Sequence, residues 1–169
     1  MGPDMTLWLH LLAFAVYTGA TLALVVICLP ALAAEPDPIR RARWLAAMMR
    51  VYDPLSLGAL GVALMTGAFN LTGYKAALRG RFFAAMGGQL AWKLLLTFFL
   101  VNLGAYIAFG LGNRLVRAVE VGDGVDEARL AALQRRIRTS AMVALALVAA
   151  IVWVAMAMTP ALQPVAAGV

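Results

Sequence analysis

Long apolar runs separated by short polar segments dominate the chain, and they predict helices that cross a membrane. A helix needs roughly 20 mostly apolar residues to span the hydrocarbon core of a bilayer. Four runs reach or approach that length, and the sequence lacks the alternating pattern of barrel strands. We therefore expect an all-α integral membrane protein, a four-transmembrane-helix bundle in a single domain over residues 1–169. The expected spans are about 7–29, 54–72, 89–112 and 138–159.

Composition supports a membrane protein and excludes an ordinary soluble domain. Hydrophobic residues make up 64% of the chain and charged residues only 13%, whereas a soluble domain carries about 25% charged residues. The net charge of +6 comes mainly from basic residues that flank the apolar runs. Membrane orientation and anionic lipid head groups explain this distribution more simply than nucleic acid does. The single cysteine, Cys28, cannot form a disulfide within the chain and is expected to be a packing residue.

The distribution of basic residues predicts how the chain is oriented. Cytoplasmic loops of membrane proteins carry an excess of Lys and Arg. The loops 31–53 and 112–140 together hold ten basic residues, whereas the loop 72–89 holds three. We therefore expect the two arginine-rich loops in the cytoplasm and both termini on the periplasmic side of a bacterial inner membrane. Asp53, followed by Pro54, is expected to cap the second span.

Small residues four apart predict where the helices pack against one another. Helices in lipid associate by close approach of their backbones, which small side chains permit. We expect three such seams, one on each of the first three spans: Ala15, Gly19 and Ala23; Ala59, Ala63 and Gly67; Gly104, Ala108 and Gly112.

Polar residues of three spans are expected to share one layer near the periplasmic face. His10 lies near the outer end of the first span, Asn70 near that of the second and Lys93 near that of the third. At about 100° per residue, Asn70 and Lys93 point toward packed faces of their helices. The same rule places His10 on one face with Tyr17 and Thr21, which we also expect to be buried. Ionisable residues inside a membrane are costly and tend to mark functional sites.

The chemistry of this layer favours a metal or a heme. Imidazole and thioether are soft enough ligands for Cu(I), so His10 is a candidate metal ligand with Met86, Met156 and Met158 as partners. The same imidazole is also suited to be an axial ligand of heme, with a methionine as the second ligand. Lys93 and Asn70 are further candidate cofactor-binding residues, which would support the ligands or gate the site. A heme held by two histidines of one chain is excluded because the chain has one histidine, and zinc catalysis lacks its usual three ligands.

Each of these residues also has a purely structural interpretation. His10 can be an interfacial histidine bonded to a backbone carbonyl, and Lys93 can extend its ammonium group to the head groups. Methionines commonly fill gaps in cores. No nucleophile–base pair, phosphate loop or dinucleotide motif occurs, so a non-enzymatic role is favoured and the question of an enzyme stays open.

Three stretches resemble the copper resistance D (CopD) family. They are "LHLLAFAVYTGATLALVVICLPAL" in the first span, "GGQLAWKLLLTFFLVNLGAYIAFGLGNRLVRA" in the third and "LQRRIRTSAMVALALVAAIVWVAMAMTPA" in the fourth. The resemblance covers most of the chain and implies copper capture or passage at the periplasmic face. It is the leading interpretation of the sequence.

The chain is also similar to HemJ-type protoporphyrinogen oxidases, whose first-span histidine and third-span lysine match His10 and Lys93. That resemblance implies heme binding at the histidine. Those enzymes carry a second histidine where this chain has Ala91, and an Asn-Glu-Pro motif where it reads "RTSAM". The alternative is therefore a heme-binding or heme-free accessory subunit of a larger respiratory or photosynthetic membrane complex, and the oxidase comes third. Expected partners are the lipid bilayer and either complex subunits or further copies of the chain.

Overall fold

The computed structural model describes residues 3–121 and 127–166, with the side chains of 5–120 and 127–157, and this part of the chain contains helices and no strand. The prediction of an all-α protein is thus confirmed. The α-helices are α1 (Pro3–Ala23), α2 (Leu29–Ala33), α3 (Pro38–Leu78), α4 (Phe82–Ala105), α5 (Asn113–Val121) and α6 (Glu127–Ala166). Two π-helices, Leu24–Cys28 and Tyr106–Gly112, and a 3₁₀ turn, Arg79–Arg81, link them.

Three continuous helical segments of the described chain are long and apolar enough to cross a membrane. They are Met5–Ala33, Pro38–Glu120 and Glu127–Ala157. Large apolar side chains project outward along them, among them Trp8, Phe99 and Trp153, which are 67%, 52% and 75% exposed. A soluble domain would bury such side chains, whereas lipid solvates them. The outer surface is therefore that of a membrane protein.

Neighbouring long helices run antiparallel. Thr21 of α1 contacts Tyr52 of α3 through their hydroxyl groups at 3.1 Å, whereas Thr6, earlier in α1, donates to Asn70, later in α3. The chain reverses again at Arg79–Arg81, so that the carboxyl group of Asp53 on α3 lies against Gly112. In the described chain, α1 packs mainly on α3, and α4 packs mainly on α6.

Buried apolar side chains form two main clusters along the helices. The first is centred on Met49, Ile137 and Ala141 and contains residues of both π-helices. The second joins Tyr17 of α1 to residues of α3, α4 and α6, including Leu100 and Ile151. Tyr17 and Thr21 are almost completely buried, which confirms the buried polar face predicted for the first span.

The predicted capping role of Asp53 is wrong. Helix α3 begins at Pro38, where Asp37 caps it by accepting a hydrogen bond from the backbone N–H of Ile39 at 2.9 Å. The helix then continues through Pro54 without a break. Proline removes a single backbone donor, and packing on both sides of this position outweighs the loss. Asp53 thus lies inside a 41-residue helix, with one buried carboxylate oxygen unpaired among the described residues.

The predicted packing seams have different outcomes. Gly104, Ala108 and Gly112 are buried, as expected. Ala15 and Gly19 are exposed, so the seam predicted on the first span is wrong. The buried face of α1 is instead the one that carries Ala13, Tyr17 and Thr21, because hydroxyl contacts to α3 select it over the small residues.

Candidate functional site

His10 is held by the backbone of α3. Its Nδ1 lies 2.8 Å from the carbonyl oxygen of Ala63 and 3.2 Å from Oγ1 of Thr66. A carbonyl oxygen can only accept, so Nδ1 carries the proton and donates it. Thr66 donates its own hydroxyl proton to the carbonyl oxygen of Val62 at 2.6 Å and therefore accepts from Nδ1. In the neutral ring, this tautomer leaves a lone pair on Nε2.

A glycine gives the imidazole its space. A Cβ atom added at Gly67 would lie 3.1 Å from Cε1 and 3.5 Å from Nδ1 of His10. The ring thus rests on the bare backbone of α3, one turn beyond the carbonyl group that it contacts. The predicted seam on α3 is used here to seat a histidine side chain rather than to bring two backbones together.

His10 and Lys93 line the same cavity, of about 460 Å³. Helical phase and depth predicted these two residues in one layer, and the structure has both on the wall of one cavity. Residues of α1, α3, α4 and α6 form its walls, so the cavity lies where the long helices meet. Thr97 and Tyr74 contribute hydroxyl-bearing side chains, whereas Leu100 and Ile151 continue it into the second buried cluster. The wall is otherwise mostly apolar, with one imidazole and one ammonium group.

Asn70 lies at the same level but does not line the cavity. It accepts a hydrogen bond from the hydroxyl of Thr6 at 2.8 Å. This bond links α1 to α3 one helical turn before His10, on the side of the N-terminus of α1. Gln89 links α4 to α6 in a similar way, by donating to the carbonyl oxygen of Ala157 at 3.2 Å. These contacts hold together the ends of the helices that carry His10 and Lys93.

The two candidate methionines whose side chains the structure describes lie in different places. Met156 lines the cavity and is 67% exposed. Met86 is 2% exposed and does not line the cavity; it packs with Phe82 in an apolar cluster that contacts the cavity wall through Tyr74. The side chain of Met158 lies outside the described residues. Within the described chain, no three His, Cys, Asp or Glu side chains lie together in a group that could hold a metal ion.

Sequence reasoning missed part of the site. No contact of Thr66 with His10, and no place for Thr97 on the cavity wall, was predicted. Tyr74 had no signal in the sequence, since it lies in a segment expected to be a loop. In the structure α3 extends to Leu78 and carries Tyr74 to the cavity wall.

Comparison of the chain with protein-family models, with curated proteins and with solved structures finds no match. The fold and the cavity define the class on their own: a helical membrane protein with a mainly apolar cavity between its long helices, into whose wall an imidazole and an ammonium group are built.

Proposed function

We propose that the chain crosses a bacterial inner membrane four times, with both termini on the periplasmic side. The segment Pro38–Glu120 contains two long helices joined by the turn Arg79–Arg81, which supports two crossings within it. The ten basic residues of 31–53 and 112–140, against three in 72–89, support the orientation. His10 and Lys93 then lie near the periplasmic surface.

We further propose that the cavity binds a heme, which Nε2 of His10 would hold. The observation that carries this proposal is the hydrogen bond from Nδ1 of His10 to the carbonyl oxygen of Ala63. Metal-binding histidines usually donate their other ring N–H to a carbonyl or carboxylate, which fixes the tautomer and the ring orientation.

The other residues of the cavity fit the same ligand. Its volume of about 460 Å³ lies in the range typical of cofactor sites. A heme presents an apolar macrocycle and carboxylate groups, which match the apolar wall and the ammonium group of Lys93. A bound heme would supply one-electron chemistry at its iron. The protein would hold its ring, pair its negative charge and limit the access of water.

The experiment is spectroscopic. We expect purified protein, titrated with hemin in mild detergent, to show a reduced-minus-oxidised spectrum at about one heme per chain. His10→Gly should abolish that spectrum, and added imidazole should restore it by filling the vacated space. Asn102→Leu is the matched control, because Asn102 is exposed on the outer side of α4 and bonds only its own helix. A wild-type protein that binds no hemin would contradict the proposal.

Copper handling, of the kind that the CopD resemblance implies, is the second candidate. It is favoured by one observation, that Met156 shares the cavity wall with His10. Met86 does not line the cavity, so among the candidate methionines that the structure describes Met156 is the soft partner.

Removal of the ammonium group of Lys93 should change hemin affinity and Cu(I) affinity in opposite directions. Lys93→Leu should weaken hemin binding on the order of tenfold, because a charged hydrogen bond is lost. The same change should strengthen Cu(I) binding, because a neighbouring positive charge is removed and leucine adds no metal ligand. Lys75→Leu, at an exposed position outside the cavity, should change neither. Hemin binding that is unaffected by Lys93→Leu, together with tighter Cu(I) binding, would favour copper.

A further inference from the structure

Three arginines surround a second cavity at the opposite end of the molecule. Arg114 on α5 and Arg129 and Arg136 on α6 line a space of about 190 Å³. Arg129 and Arg136 lie seven residues apart, so they stand on one face of α6 two turns from each other. Arg114 faces them from α5. The remaining wall consists of Ala118, Ala132 and Leu133, which leave room between the two helices.

The carboxylate groups of the described residues make their contacts outside this cavity. Glu120 pairs with Arg50, and Glu35 pairs with Arg40 at 3.8 Å. Asp37 caps α3, and Asp53 lies against Gly112. Glu127 lines a different cavity, together with Arg41. None of these carboxylates bonds a guanidinium group of the three cavity arginines. The cavity therefore concentrates positive charge that the described residues do not neutralise.

We propose that this cavity binds a phosphate group. A guanidinium group presents a planar fork of N–H donors that matches phosphate oxygens, and three such forks around a small space suit one phosphate. The phosphate can belong to an anionic lipid head group or to a free anion in solution. Both sources offer the same oxygens to the arginines, and basic pockets between helices near the membrane surface are known to take lipid phosphates.

The test compares two charge-matched triple variants of the full chain in detergent. One removes the cavity arginines, as Arg114→Gln, Arg129→Gln and Arg136→Gln. The control removes three arginines of the same region that do not line the cavity, as Arg117→Gln, Arg135→Gln and Arg138→Gln. The probes are short-chain phosphatidylglycerol, short-chain phosphatidylcholine and inorganic pyrophosphate, with binding measured by native mass spectrometry. A variant with all three cavity arginines changed to lysine tests whether positive charge alone is enough to bind the phosphate.

We expect the cavity variant to bind phosphatidylglycerol on the order of 1,000-fold more weakly, since each guanidinium group that bonds the phosphate contributes about tenfold. The control should change by less than about threefold, and Arg→Lys should fall between the two because it keeps the charge but loses the fork. If pyrophosphate displaces phosphatidylglycerol, the proposal is supported and the ligand is a free anion. If phosphatidylglycerol binds and pyrophosphate does not displace it, the proposal is supported and the ligand is a lipid. Equal losses in the two triple variants, or binding of phosphatidylcholine alone, would overturn it.

Discussion

Gly67→Ala should disturb the binding site at His10 while leaving the free energy of unfolding almost unchanged. In Gly67→Ala the new Cβ would lie 3.1 Å from Cε1 of His10, so the ring must shift by a few tenths of an ångström. That shift lengthens the hydrogen bond to Ala63, whose net contribution is roughly 0.5–1.5 kcal/mol. Alanine also stabilises a helix by about 1 kcal/mol relative to glycine in water. The two effects oppose each other, so the overall stability should change little.

Gly61→Ala is the matched control on the same helix. A Cβ atom there would meet nothing within 4 Å, so only the gain in helix propensity remains. We expect Gly61→Ala to be more stable than Gly67→Ala by about 1 kcal/mol in reversible unfolding by sodium dodecyl sulfate, followed by helix content. Hemin affinity should fall about tenfold in Gly67→Ala alone, as it does when a partner of a metal-binding histidine is disturbed. Identical behaviour of the two variants in both assays would refute the packing argument.

The same unfolding assay checks three further positions. Gly112→Ala should cost about 1–3 kcal/mol, because its Cβ would occupy the space of the Asp53 carboxyl group; a similar cost for Gly19→Ala, which meets nothing, would contradict this. Met49→Ala should cost roughly 2–5 kcal/mol because Met49 is fully buried. Arg79→Gly should stabilise the protein by about 1 kcal/mol, since Arg79 has φ of 47°, and unchanged stability would argue against strain there.

The apolar runs made the class of fold predictable. Their length and continuity leave helix as the only backbone that satisfies its own hydrogen bonds in lipid. The buried face of α1 was also predictable in part, because Tyr17 and Thr21 are polar and would be unfavourable against lipid. The seam through Ala15 and Gly19 was not, since small residues permit close packing without requiring it. Which neighbour a helix faces depends on contacts that no single helix encodes.

The limits of the helices were less predictable than their existence. Proline usually marks a helix start or a kink, and Asp53-Pro54 was interpreted in that way. The helix continues through it because residues on either side, such as Tyr52 and Ala59, are anchored in the buried clusters.

Near Pro30 the α-helix is interrupted by a π-helix. Leu29 donates its N–H to the carbonyl oxygen of Leu24, five residues earlier, and this wider turn shifts the buried face of the next helical residues.

That shift explains why periodicity holds over one stretch and fails over the next. Buried positions follow helical spacing through Thr21 and Leu24, and the next fully buried residue is Leu29 rather than Cys28. A π-helix adds a residue to the turn. The spacing of buried residues in the first half of the segment therefore predicts the wrong buried residues in the second half. His10 and Lys93 lie well before the π-helices of their own segments, so helical phase and depth predicted their common layer without this error, and both line one cavity.

The structural and the ligand-binding interpretations of His10 use different atoms of one ring. The hydrogen bond from Nδ1 to Ala63 joins α1 to α3, and a glutamine amide can donate to that carbonyl as well. His10→Gln should therefore change the free energy of unfolding by less than about 1 kcal/mol, whereas His10→Leu leaves the contact unmade and should cost more. Neither variant offers the lone pair of Nε2, so both should lose hemin. If His10→Gln keeps hemin, then the imidazole is only a link between helices. If it loses hemin and keeps its stability, the choice of histidine at this position is explained by the second nitrogen, the one that the fold does not use.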